Sequence, residues 1–277
     1  MKMLAREKNE GPEISAVAAL RARFNMMVAF AATDIVLSHP NERPVVFSKF
    51  LRIAWKSYLL NNFAAVVALI TSLQTPMVSA AMRRLWSRVG MWEMRVFEDL
   101  KEFSSPRGNF KFIREAIAAM VDRREDPPNG PPSAHSSVSS RSRMPVDKAV
   151  APASCIPFIG VYLSDLHRYR KLPEYIDPTS PSSRVLEGPN GQLSSPRHPE
   201  VFSTLAPLPP SVQLEPMANV QKQRLTAGTV KEIVAGQHLA SKISFDLDRK
   251  LYQKCLRLKA LPPDKLVDVA KTYGGEA

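Results

Sequence analysis

Apolar residues recur along this chain at helical spacing. From Ile14 to Leu37 they fall at Ile14, Val17, Ala18, Leu20, Phe24, Met27, Val28, Ala31 and Ile35, an element that Pro40 and Pro44 should close. A second helix is expected from about Val45, with Phe47, Phe50, Leu51, Ala54, Tyr58 and Leu59 on one side. A third apolar run begins at Phe63 and ends at Pro76. Between them stand Asn61 and Asn62, where Asn62 reads as a cap whose side chain accepts from the next turn. The pattern continues as one amphipathic helix over 82–103, with a basic face of Arg83, Arg84, Arg88 and Arg95, and another over 110–121. No stretch alternates with period two for long enough to demand a sheet, so the fold class is all-α.

Composition changes abruptly twice. Residues 126–154 and 177–216 are rich in Pro and Ser and read as disordered insertions within one helical domain, 13–277, after a ragged disordered start at 1–12. Between the insertions lies an ordered run, Cys155 to Leu166. After them comes Met217–Gln237, with Val220, Leu225, Ala227, Val230, Ile233 and Val234 at roughly three- and four-residue steps. Gly236 offers a stop there, and a Lys/Arg-rich helix over 243–258 would complete a protruding helical hairpin. Pro262 and Pro263 precede a short terminal helix.

The 277 residues carry a formal charge of +12 and 44% hydrophobic residues, which suits a globular chain with an anionic partner. Cys155 and Cys255 are far apart and form neither a disulfide framework nor a zinc ribbon. The N-terminus lacks the apolar core of a signal peptide, and the longest apolar run, 63–70, falls far short of the roughly 20 residues of a membrane span. The five histidines are scattered without metal-ligand spacing, and no Gly-x-Ser-x-Gly, His-Glu-x-x-His or phosphate-cradling glycine loop occurs. No cofactor or metal is therefore expected, and no covalent chemistry. A basic nucleic-acid-binding protein fits the charge but shows no recognised module.

Four blocks occur in a recognisable order. They are Arg23-Phe24-Asn25 with Thr33-Asp34-Ile35-Val36; Lys49 to Leu73 around Leu60-Asn61-Asn62-Phe63; Pro106 to Arg114 with Cys155 to Leu166; and the Met217–Gln237 stretch, through Asn219, Lys222, Ala227, Glu232, Ile233 and Gln237. Together they resemble the catalytic domain of Ras-family guanine-nucleotide exchange factors of the Son-of-sevenless type. Ala64, Val220 and Thr229 depart from that pattern, where the family has Asn, Phe and an aliphatic residue. The family's helices upstream of Arg23 are not represented and the closing helices look short, so the expectation is most of such a domain, a fragment or an incomplete gene product.

The resemblance implies a Ras-family small GTPase as partner, with the hairpin displacing one switch segment to release GDP. It implies that Glu232 brings a carboxylate to the phosphate and magnesium sites and that Thr229 stands where an aliphatic side chain obstructs the metal. Tyr162, Val220 and Asn62 would line the surface receiving the second switch, supported by Asn61, with Asn219 and Lys222 in the GTPase-binding set. A cytoplasmic location follows, with recruitment to the inner face of the plasma membrane and peripheral membrane association through the GTPase; nucleic acid is not expected as a partner. The alternatives are an exchange-deficient GTPase-binding scaffold and the nucleic-acid reading.

Overall fold

The computed structural model describes residues 15–125, 154–176, 185–187, 192–194, 217–244 and 246–274. The expected start at 1–12 lies outside them, as does the insertion 126–154 apart from Ser154. The chain divides into two compact units, Met1–Ser104 with Ser244–Ala277, and Ser105–Ile243.

The first unit is helical. Its elements are α1 (Ala16–Leu37), α2 (Arg43–Leu59), α3 (Phe63–Leu73), α4 (Pro76–Ala81) and α5 (Met91–Phe103), with two helices from the end of the chain. The core helix is α3, which buries Phe63, Val66, Val67, Ala68, Leu69, Ile70 and Leu73 and packs against α1, α2 and α5. This near-continuous apolar sequence is what a helix covered on several sides requires. Phe47 sits edge-on to both Trp86 and Phe97, tying α2 to α5 and to the segment between α4 and α5.

The join between α2 and α3 is built from the two asparagines. Asn61 N–H donates to Tyr58 O and Asn62 N–H reaches back to Ser57 O at 2.8 Å, the bond pattern of a Schellman motif. That turn needs a left-handed residue, and Asn61 supplies it with φ +55°. Asn is among the side chains that tolerate this region best after Gly. Asn62 then caps α3 as expected, its Oδ1 accepting from Ala65 N–H at 3.0 Å.

Beneath α2 lies a side chain that the hydrophobic pattern did not announce. Arg43 is 1% exposed and donates to three carbonyls: Ser38 O at 3.2 Å, Ala81 O at 3.2 Å and Val36 O at 3.3 Å. Two of these lie in the last turns of α1 and α4, where carbonyls lack helical partners and carry the negative end of the helix dipole. Burial lowers the guanidinium pKa from its ordinary value.

Three sequence expectations change here. Pro76 starts α4 rather than only ending α3, since the first helical turn has no use for the missing N–H. The single helix expected over 82–103 is interrupted by a 3-10 turn at Trp86–Arg88, and α5 starts only after Gly90. Arg83, Arg84, Arg88 and Arg95 therefore do not share one helical face, and Arg88 is bonded to Asn41. The helix expected over 243–258 is the shorter α9 (Arg249–Leu256), because the Asp248 carboxylate caps it by accepting from the N–H groups of Lys250 and Leu251. The terminal helix α10 (Pro263–Gly274) packs on α1 and α4 with Leu266 and Ala270 buried.

The second unit contains α6 (Lys111–Glu125), α7 (Gly160–Arg170) and α8 (Val220–Ser241). Strand β1 (Tyr175–Ile176) pairs antiparallel with β4 (Met217–Ala218), and β2 (Val185–Glu187) with β3 (Gln192–Ser194). The last pair is what the structure describes of the segment 177–216. Such two- and three-residue pairings leave the fold all-α.

Candidate functional site

Helix α8 is placed by its N-terminus. Asn219, 7% exposed, caps it through Oδ1 to Lys222 N–H at 3.0 Å and donates from Nδ2 to Pro173 O at 3.0 Å. Lys222 adds a bond from Nζ to Leu172 O at 2.8 Å and lies 3.9 Å from Glu174. Both side chains thus fasten α8 to the segment 172–174.

The apolar positions of α8 separate into two sectors, because at 100° per residue the six do not share a face. Thr229, Gly236 and Leu239 are buried, with Leu225 and Ile233 half-buried beside them. Val220, Val230 and Val234 point to solvent at 55%, 49% and 46% exposure. Gly236 does not stop the helix, which continues to Ser241. A Cβ there would meet Pro157 Cγ at 3.1 Å, so glycine serves close packing instead. At Gly228 nothing lies within 4 Å of where a Cβ would be.

Glu232 projects beside the buried sector and joins a charged cluster. Asp165 of α7 is 2% exposed and accepts from Asn109 Nδ2 at 2.8 Å, from Arg168 Nη2 at 3.0 Å and from Arg114 Nη2. Arg114 of α6 also donates from Nε to Asn109 O at 2.8 Å and from Nη2 to Val161 O at 3.4 Å. Its Nη1 stands 3.6 Å from Glu232 Oε2. Asn109 is aimed by a left-handed loop in which Gly108, Asn109 and Phe110 all have φ of +59°. A phenylalanine there is strained by roughly 1–2 kcal/mol, and its ring sits 5.5 Å from that of Phe158.

The charge balance of this cluster is uneven. Arg114 is largely committed to Asp165 and two carbonyls, leaving Glu232 one long contact, and the Glu232 side chain is 55% exposed. Its pKa is raised: partial burial raises it most, Arg114 opposes, and the Asp165 carboxylate raises it further. The ion pair alone would lower it, so burial wins. Tyr162, 3% exposed, has its phenol pushed up to about 12, first by burial and then by Glu232, Cys155 and Asp165, against Arg114. Burial pushes the Cys155 thiol up to about 11.

Of the site residues expected from sequence, Tyr162, Asn219, Val220, Lys222, Thr229 and Glu232 lie in this unit, with Glu232 and Val220 presenting side chains to solvent and Tyr162 and Thr229 buried. Asn61 and Asn62 lie in the other unit, half-buried at the α2–α3 turn. The cluster adds Arg114, Asp165 and Asn109. A carboxylate four residues after Val161 falls on the buried side of α7, and such a position requires cations nearby.

A model of the RasGEF domain matches residues 2–188. The chain belongs to the RasGEF family. This RasGEF chain is similar to Ral guanine nucleotide dissociation stimulator-like 2 of Mus musculus, at 28% identity over 127 residues, 46% of the chain and 15% of the relative. It is similar to the Ras-specific guanine nucleotide-releasing factor RalGPS2 of Homo sapiens at 26% over 166 residues, 60% of the chain and 22% of the relative. It is also similar to Ras guanine nucleotide exchange factor W of Dictyostelium discoideum at 27% over 144 residues, 52% and 10%. The chain thus spans less than a quarter of the length of these relatives. Helix α8 lies beyond the matched residues, which take in α1 to α7, β1 and β2.

Proposed function

We propose that this chain acts as a guanine-nucleotide exchange factor for a Ras-family small GTPase, with α8 as the working helix and Glu232 as its acting residue. The observation that carries the reading is the Glu232 carboxylate, exposed on a chain of this family and poorly compensated by its own fold. Such a group gains by meeting an external cation, and a GTPase's phosphate-binding lysine is one. A factor of this kind needs no bond chemistry. It binds the nucleotide-free GTPase better than the loaded one and, by linkage, weakens nucleotide binding by the same factor. Glu232 would compete for the phosphate-loop lysine and disfavour returning phosphate and magnesium, while exposed Val220 contributes contact area. Asn219 and Lys222 hold the helix in place. The relatives' names, which speak of Ral and Ras nucleotide release, support a Ras-family target.

A second reading, a GTPase-binding scaffold without exchange activity, draws support from Thr229. At 4% exposure, it turns away from any partner that would need its metal site obstructed.

Release of a fluorescent GDP analogue from a panel of Ras, Ral and Rap GTPases decides between them. Exchange predicts acceleration on at least one member and a loss of at least about tenfold in Glu232→Ala, the scale of one transition-limiting contact. Capture of nucleotide-free GTPase without acceleration selects the scaffold. Acceleration untouched by Glu232→Ala removes Glu232 from the mechanism.

A further inference from the structure

Glu232 receives little support from its own helix. The residues three and four positions away on α8 are Gly228, Thr229, Ala235 and Gly236, none of which carries a charge to pair with it. Gly228 and Gly236 also lack side chains that could confine it, so the carboxylate keeps the rotational freedom of a long side chain. Support comes from outside the helix. Both α6 and α7 pack on α8, and the charged and titratable groups they turn toward Glu232 are Arg114 from α6 and Asp165 and Tyr162 from α7. Arg114 is the cation among them.

Arg114 is itself firmly held. Its Nε donates to Asn109 O at 2.8 Å, and its Nη2 donates to the Asp165 carboxylate and to Val161 O at 3.4 Å. Asp165 is 2% exposed and fixed in turn by Asn109 Nδ2 and Arg168 Nη2. With Nε and Nη2 so engaged the guanidinium plane is set, and Nη1 is aimed at Glu232 Oε2, 3.6 Å away. Joining α6 to α7 needs only the first set of bonds; the prong toward α8 adds nothing to that join. The loop presenting the Asn109 carbonyl passes through three successive residues with φ of +59°, one of them Phe110. Strain of this kind is kept where a position matters, and here it sets the guanidinium. The contact with Glu232 is long and single. It fixes where the carboxylate stands without neutralising it, and leaves it free to be taken by a partner's cation.

We propose that Arg114, held from behind by Asp165 and Asn109, is the positioning residue for Glu232: it sets the place from which that carboxylate meets the GTPase. The proposal rests on the exchange reading above and adds to it a residue that acts through Glu232 alone.

Arg114→Lys separates the two tasks of this side chain. The ammonium keeps a charge for buried Asp165 but cannot also reach α8, because it lacks the guanidinium's fork. Carbon-13 NMR of the whole chain follows the Glu232 carboxyl, assigned by its loss in Glu232→Gln. Its titration midpoint should move further up in Arg114→Lys, since the cation that opposes the rise is withdrawn. Release of a fluorescent GDP analogue from the responding GTPase should slow roughly tenfold in Arg114→Lys. The same change made in Glu232→Ala should slow release no further. Glu232→Asp, whose shorter side chain falls away from Nη1 in an intact cluster, should lose as much as Arg114→Lys. This variant keeps the test open if circular dichroism shows Arg114→Lys to melt early. An unmoved midpoint, equal slowing with and without Glu232, faster release in Arg114→Lys, or a fully active Glu232→Asp overturns this proposal alone. The exchange reading then still stands on the cost of Glu232→Ala. If no GTPase responds, or Glu232→Ala is harmless, the reading of Glu232 as the acting residue fails and this assignment fails with it. Glu232→Ala therefore tells the two failures apart.

Discussion

Arg43 and Glu232 show the two fates of a charge in this chain. Arg43 is buried with its donors shared among Ser38, Val36 and Ala81 carbonyls. Arg43→Met should lower unfolding stability by about 3 kcal/mol, because three carbonyls lose a charged donor without water to replace it. Arg43→Lys should recover only part of that, since an ammonium cannot fork to carbonyls in three directions. Urea denaturation of the three proteins checks both statements. Glu232 is the opposite case. Its raised pKa means the fold binds the proton more tightly than the unfolded chain, so the group's stability contribution is present at acid pH and lost as pH rises through the folded value. Glu232→Gln should therefore melt above wild type at pH 7, with the gap closing as pH falls below the ordinary glutamate value of 4.5. A Glu232→Gln protein that melts below wild type at pH 7 would show Arg114 to dominate instead.

At the scale of elements, α8 yields a paired prediction. Gly228→Ala should stabilise by up to about 1 kcal/mol, through helix propensity with open space around the new methyl. Gly236→Ala gains the same propensity but meets Pro157, and should be destabilising on balance. Thermal melts of the two variants should move in opposite directions. These glycines also show what sequence reasoning could reach. The first three helices, the all-α class and the Asn62 cap were legible because they follow from periodicity and local chemistry. The break at Gly90 and the continuity through Gly236 were not, because a glycine reads alike whether it ends a helix or admits a neighbour. Only the proline standing opposite decides. The exposed sector of α8 was hidden for a related reason: Val220, Val230 and Val234 and the inner Leu225 and Ile233 recur at similar intervals, and spacing alone does not say which set faces inward. Arg114 and Asp165 were visible as residues but not as a pair, being 51 positions apart.

At the scale of the whole chain, a formal charge of +12 admits several anionic partners. The loss of the shared Arg83, Arg84, Arg88 and Arg95 face removes the chief structural argument for nucleic acid, and the partner proposed above is a GTPase. Weak binding to nonspecific DNA that vanishes by physiological salt is the expected outcome of a titration. The first unit is assembled from both ends of the sequence, with the second unit's residues threaded between them. Helix α10, whose Leu266 and Ala270 close the apolar sides of α1 and α4, is therefore synthesised only after the whole of the second unit. Until it arrives, the nascent chain carries an unfinished core through the synthesis of more than a hundred further residues, roughly ten seconds or so of translation. Over that interval the chain is at its most exposed to aggregation and in greatest need of a chaperone's cover.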